Sequence, residues 1–278
     1  MTTPGATLGA AEQDVVPRRA ARLGSYALWQ VRDYAVNRGL PTLIVALLFG
    51  YLGVSSMLLA VNGPGGPPAY LIRKYGTAEA AHQVMLHSAS IGFVATFIGT
   101  YAFLGALIGM NGIVANDRKL GFYRFLFAKP VAPATLYGAE FAVNGLCFLV
   151  LTVALALLYG AIIEPVLSVS LLIVIAAGYL CYAGLGFALS AISRWDWLSL
   201  VAVAGAADVL WKLYGTSTGS FAVLLRLLPP LNLTTEVYAA AANGVALPWQ
   251  SVLWLGGYGA LAFVAGLAIL RHRRLAFN

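Results

Sequence analysis

The chain has 278 residues, 60% hydrophobic and only 10% charged, with a net charge of +7 and a mean hydropathy of +0.83. Soluble domains carry about 25% charged residues, so a single aqueous core is excluded and an integral membrane protein is indicated. Backbone groups in lipid have to be satisfied internally, which makes an all-α membrane protein the expected fold class. The basic residues are dispersed along the edges of apolar segments, which suits anionic lipid headgroups and argues against nucleic acid as a partner.

Residues 1–17 have no apolar run of the signal-peptide kind and read as a flexible tail ahead of one transmembrane domain, 18–278. Segment 18–38 mixes Arg18, Arg19, Arg22, Arg32 and Arg38 with Leu23, Tyr26, Trp29, Val31 and Tyr34. It is too polar to span, and an amphipathic helix lying in the membrane interface fits it. A plain cytoplasmic extension of the first span, or a loosely ordered tail, is the alternative. Gly39 and Pro41 are expected to break that helix.

Crossing a roughly 30 Å hydrocarbon core takes about 20 apolar residues. Six segments qualify, at about 42–61, 91–114, 136–163, 167–192, 198–214 and 252–270. Between the first two, 62–90 reads as the first external loop; it opens with the turn-rich NGPGGPP and carries His82, Met85 and His87, whose spacing matches no familiar metal set. Gly105 and Gly109, four apart in the second span, can support close helix packing. Cys147 and Cys181 lie inside spans and read as small apolar residues.

Between spans two and three lies a short basic loop, 115–135. There Arg118, Lys119, Arg124 and Lys129 alternate with Leu120, Phe122, Tyr123, Phe125, Leu126 and Phe127 before Pro130 and Pro133. Aromatic anchors at helical spacing with a charged rim suit a helix docked in a partner's apolar groove. A plain basic membrane-edge loop explains the charges but not the aromatic run. In span five, Asp208 and Lys212 are four residues apart and share a helix face. Two roles are open: a pair lining a pathway, or a structural pair whose lysine snorkels to the headgroups. After span five, 216–250 holds a short apolar piece, 221–228, that can enter the membrane without crossing it, or else forms an ordinary connection.

Placing the N-terminus inside assigns thirteen of the 17 Lys and Arg residues to the cytoplasmic side, so both termini are expected there. No lysine stands in a phosphate-binding G-x-x-x-x-G-K-S/T motif. The three histidines lie outside the spans, which disfavours an intramembrane hydrolase. No inverted repeat supports a secondary, ion-coupled transporter. Both remain as alternatives.

The order of elements resembles the membrane subunit of ABC-2 type transporters, the permeases of many bacterial exporters. The likeness rests on Arg118, Gly121, Leu126, Lys129, Pro130 and Val131 in the basic loop. It extends to PPLNLTTEVYAA at 229–240 and to the basic end RHRRLAF. The chain departs at Gly138-Ala139-Glu140, where the family often has a lysine after the glycine. The resemblance implies a non-catalytic permease of a bacterial inner membrane, pairing with a second, identical or different, permease subunit and with a separate cytoplasmic ABC ATPase. ATP and magnesium would be bound by that ATPase, with no cofactor on this chain. The coupling contacts it implies are Arg118, Lys119, Phe122, Arg124, Phe125, Leu126, Lys129 and Pro130.

Overall fold

The computed structural model describes residues 28–63, 65–110, 113–114, 133–193, 195–215 and 220–273. Among these residues the regular structure is helical, with no strand. Helix α1 (Leu28–Val61) is followed by α2 (Ala69–Tyr75), α3 (Ala78–Met110), α4 (Pro133–Ile162) and α5 (Val169–Ile192). Then come α6 (Asp196–Tyr214), α7 (Ser220–Leu227), a 3-10 turn (Leu231–Leu233), α8 (Thr234–Ala242) and α9 (Trp249–Arg273). Six of these helices, α1, α3, α4, α5, α6 and α9, are long and apolar enough to cross a membrane. The protein is a multi-pass helical membrane protein.

Two expectations are corrected. Gly39 and Pro41 do not break the first helix. A π-helical turn, Ala35–Gly39, carries the helix across them, with the Leu40 N–H bonded to the Ala35 carbonyl. Proline crowds the preceding turn and donates no bond, and a widened turn absorbs that mismatch. The turn also has a directional effect. Gln30, Tyr34, Thr42 and Ala46 are buried and Arg38 is nearly so, a stripe repeating every fourth residue. Such a stripe drifts around a helix of 3.6 residues per turn, and the wide turn takes up part of the drift.

The second correction concerns 62–90, which is mostly helix. Gly76, at φ +86°, ends α2, and Thr77 starts α3 by accepting the Ala80 N–H on its Oγ1 at 3.1 Å. The polar residues 78–90 therefore extend span two by more than three turns. The chain stops α4 at Glu164-Pro165, and Ser168 caps α5 by accepting the Leu171 N–H at 3.1 Å.

Helix α5 is the centre of the bundle. Its apolar window is 72% buried, against 17 to 33% for the other spans. Its most extensive contact is with α9, and glycine makes that contact possible. A Cβ on Gly259 would strike the Leu180 carbonyl, and one on Gly184 would strike the backbone of Gly259. Dispersion between closely approaching backbones is the main attraction available to helices in lipid. On the other side of α5, Phe148 stacks between Tyr101 and Tyr179 at 4.7 and 4.3 Å, in space left by Gly105. Gly109 likewise makes room for the Tyr179 phenol.

Of the segment after α6, α8 packs into the bundle: Val237, Tyr238, Ala240 and Ala241 are buried against α3 and α5. Tyr238 lies in a cradle formed by Gly99 and Gly178.

Candidate functional site

Two regions carry the polar chemistry that a membrane bundle ordinarily avoids. The first is where α3 ends and α4 begins. All eight residues expected to contact an ATPase, from Arg118 to Pro130, lie outside the described residues. The two roots of their segment are described, and both are anchored. Asn144 is buried and its Nδ2 donates to the Gly109 carbonyl at 3.2 Å, satisfying an acceptor in the last turn of α3. Arg38 Nη2 donates to Glu140 Oε1 at 3.0 Å, with 15% and 19% of the two side chains exposed. A turn from Glu140, Tyr137 is 1% exposed and its ring faces Phe187 at 5.8 Å. Phe263 of α9 closes the cluster against Phe141 at 4.3 Å and Phe187 at 4.7 Å. The start of α4 is thus fixed to α1, α5 and α9.

The second region is on α6. Lys212 Nζ and Asp208 Oδ2 are 2.7 Å apart. The sequence places the pair within span five, and the structure leaves both side chains open, 73% and 51% exposed. Lys212 sits in the last turn of α6, where a cation complements the helix dipole. Asp208 lies roughly 9 Å of helix axis from the Tyr214 end. Both line an open cleft of about 550 Å3 between α6, α3, α5 and residues 231–235. Phe103 and Tyr182 stand edge to face at 5.2 Å in its wall, and Asn232, Thr234 and Thr235 add polar groups. The buried indole N–H of Trp211, also in the wall, has no acceptor among the described residues.

The cleft offers a carboxylate, an ammonium, hydroxyls and an indole donor on one exposed side of a thinly packed span. It can hold water or a polar partner. No general base stands beside a nucleophile there. His82 and His87 lie elsewhere on α3, and among the described residues no three His, Cys, Asp or Glu side chains converge. The part-buried Arg38–Glu140 pair joins residues 102 apart, and no local pattern in the sequence reveals it. Asn232, Thr234 and Thr235 of the cleft were within reach: they fall in the PPLNLTTEVYAA stretch.

Comparison of the chain with protein-family models, with curated proteins and with solved structures finds no match.

Proposed function

We propose that the chain is the membrane subunit of an ATP-driven ABC transporter, working in a bacterial inner membrane with both termini cytoplasmic. It pairs with a second permease subunit and a separate ATPase, and it exports its substrate. The observation that carries this reading is the exposed Asp208–Lys212 pair on α6. Charges at span depth are costly in lipid and face water or protein instead. A span only 17% buried, with an ion pair at the mouth of a 550 Å3 cleft that opens outward between α6 and the bundle, suits a wet pathway shared with a second subunit. The anchored roots of the 111–132 segment support the coupling role: a push on that segment reaches α1, α3, α4 and α9 through stiff contacts.

The test is co-purification with the ATPase encoded beside the chain, followed by ATP-driven transport in reconstituted vesicles. Truncating a central aromatic anchor costs about 2 kcal/mol, or roughly 30-fold in affinity. Phe125→Ala and Phe122→Ala are expected to lose the ATPase to that extent and to uncouple hydrolysis from transport. Lys129→Ala is expected to have a smaller, salt-sensitive effect. Full association and coupling in the Phe122→Ala/Phe125→Ala double variant would return the loop to a simple basic connection.

A further inference from the structure

An almost wholly apolar recess of the bundle plays no part in the transport reading. It lies between α1 and α4 and has a volume of about 390 Å3, within the roughly 300–1,000 Å3 usual for ligand sites. Helix α4 touches α1 at the π turn, and beyond that turn the two part, leaving α3 as the floor. Phe93, Phe97 and Tyr101 form the floor. They follow one another at four-residue spacing, with ring centroids 5.4 and 5.7 Å apart. The hydroxyls on its floor and far wall are engaged: Thr152 donates to the Phe148 carbonyl at 2.8 Å and lies 3.3 Å from the Tyr101 phenol, and Tyr159 shares a bond of 2.7 Å with Ser90. The rims are exposed apolar side chains, among them Tyr51 at 71% and Ile162 at 68%.

The dimensions select the occupant. On α1 the recess runs from Ala46 to Leu58, about 18 Å of helix axis, close to one leaflet's half of a roughly 30 Å hydrocarbon core. That length is the reach of one acyl chain within a single leaflet.

The end of the recess at Val166 adjoins a polar crevice of about 240 Å3, which shares Val94 and Val166 as walls. There His87 Nδ1 and Glu164 Oε2 stand 3.1 Å apart, 65% and 26% exposed, with Ser168 alongside. An apolar slot one leaflet deep, ending in a crevice with one imidazole and one carboxylate, matches an amphiphile.

We propose that this recess is a phospholipid site: one acyl chain lies along Phe93, Phe97 and Tyr101, and a headgroup bearing both phosphate and amine rests against the free faces of the paired His87 and Glu164. The site belongs to the leaflet on the Glu164 side and does not depend on an ATPase partner.

The test uses the full chain in bilayer nanodiscs of phosphatidylethanolamine and phosphatidylglycerol, with a trace of either lipid carrying a photoreactive diazirine in mid-chain. Cross-linked peptides are then mapped by mass spectrometry. The expected result is labelling concentrated on 46–58, 93–101 and 152–163 above that of the lipid-facing Leu261. Filling the slot by Ala156→Phe, or independently by Val54→Phe, is expected to cut that labelling at least about fivefold, equivalent to roughly 1 kcal/mol, and to leave Leu261 unchanged. The ethanolamine probe is expected to label more than the glycerol probe, with the preference lost in His87→Ala/Glu164→Gln. Labelling of the recess no stronger than at Leu261, or insensitive to both filling variants, overturns the site. Equal labelling by the two probes overturns the headgroup assignment. Disulfide formation between copies carrying Tyr51→Cys and Leu158→Cys overturns lipid as the occupant.

Discussion

Arg38 and Glu140 stand 102 residues apart in the chain and 3.0 Å apart in space, and their contact ties the first helix to the opening turns of α4. The π turn at Ala35–Gly39 brings Arg38 to that position, and Asn144, one turn beyond Glu140, secures the end of α3. The pair is the better buried of the Lys or Arg to carboxylate bridges among the described residues.

Glu140→Gln leaves the Arg38 guanidinium in place without its opposite charge. Breaking a fully buried pair costs about 3–5 kcal/mol, and the residual exposure of this one reduces the expected loss to about 2 kcal/mol. Thermal unfolding of the purified variant is expected to show that loss, while Glu140→Asp is expected to recover part of it. Unchanged unfolding of Glu140→Gln would mean that the pair contributes nothing to anchoring.

On α6 the exposed pair is expected to matter for transport rather than for folding. Asp208→Asn should lower transport while expression and unfolding temperature stay near those of the parent, because exposed pairs contribute only about 0–1 kcal/mol. A drop in yield with normal specific transport would reverse the assignment and favour a structural role.

If the open side of α6 faces a second subunit, a cysteine there reports it. With Cys147 and Cys181 replaced by alanine, Val209→Cys should cross-link two copies under mild oxidation, since Val209 is 51% exposed beside Asp208. Leu261→Cys, 67% exposed on α9, is the control and should stay monomeric on a denaturing gel. The reverse pattern would place the second copy on the other side of the bundle. Cross-linking at neither position leaves a heterodimer as the arrangement to test, by pairing with the other permease chain.

Gly259→Ala should separate α5 from α9, because the new methyl meets backbone that cannot rotate away. Overpacking of this kind costs about 1–3 kcal/mol. Gly257→Ala, two residues earlier with nothing within 4 Å of the added carbon, should be neutral or slightly stabilising. Equal unfolding temperatures for the two would show that the seam yields freely.

The cradle of Tyr238 gives a paired test. Gly178→Ala drives a methyl into the Tyr238 phenol oxygen, which is buried with no partner among the described residues. Tyr238→Phe alone should raise stability by about 1 kcal/mol, since an unsatisfied buried hydroxyl is lost, and it should rescue Gly178→Ala. Absence of rescue in the double variant would place the clash elsewhere.

Span number was legible because about 20 apolar residues are hard to mistake for anything else in so hydrophobic a chain. Helix length was less legible. The start of α3 at Ala78 depends on Thr77 as a cap and Gly76 as a turn, local signals that an apolar count passes over. Proline is the usual breaker, so α1 reads as interrupted until the π turn is seen. The centrality of α5 was hidden, since lipid-facing and protein-facing helices are equally apolar. Its small residues, Gly178 and Gly184 among them, are the trace it leaves in the sequence. Of the candidate site, Asp208 and Lys212 were found from their spacing, whereas their exposure depends on how α6 packs.

The glycine seam between α5 and α9 sets an order of assembly. Helix α5 is made well before its main partner, so the groove that will receive Gly259 first meets lipid. Hydrocarbon tolerates that surface, and nothing forces α5 to the surface or the centre until α9 arrives and displaces the tails. A chain cut short ahead of Trp249 keeps the other five spans found among the described residues, yet its innermost helix is left open along the whole face that α9 covers.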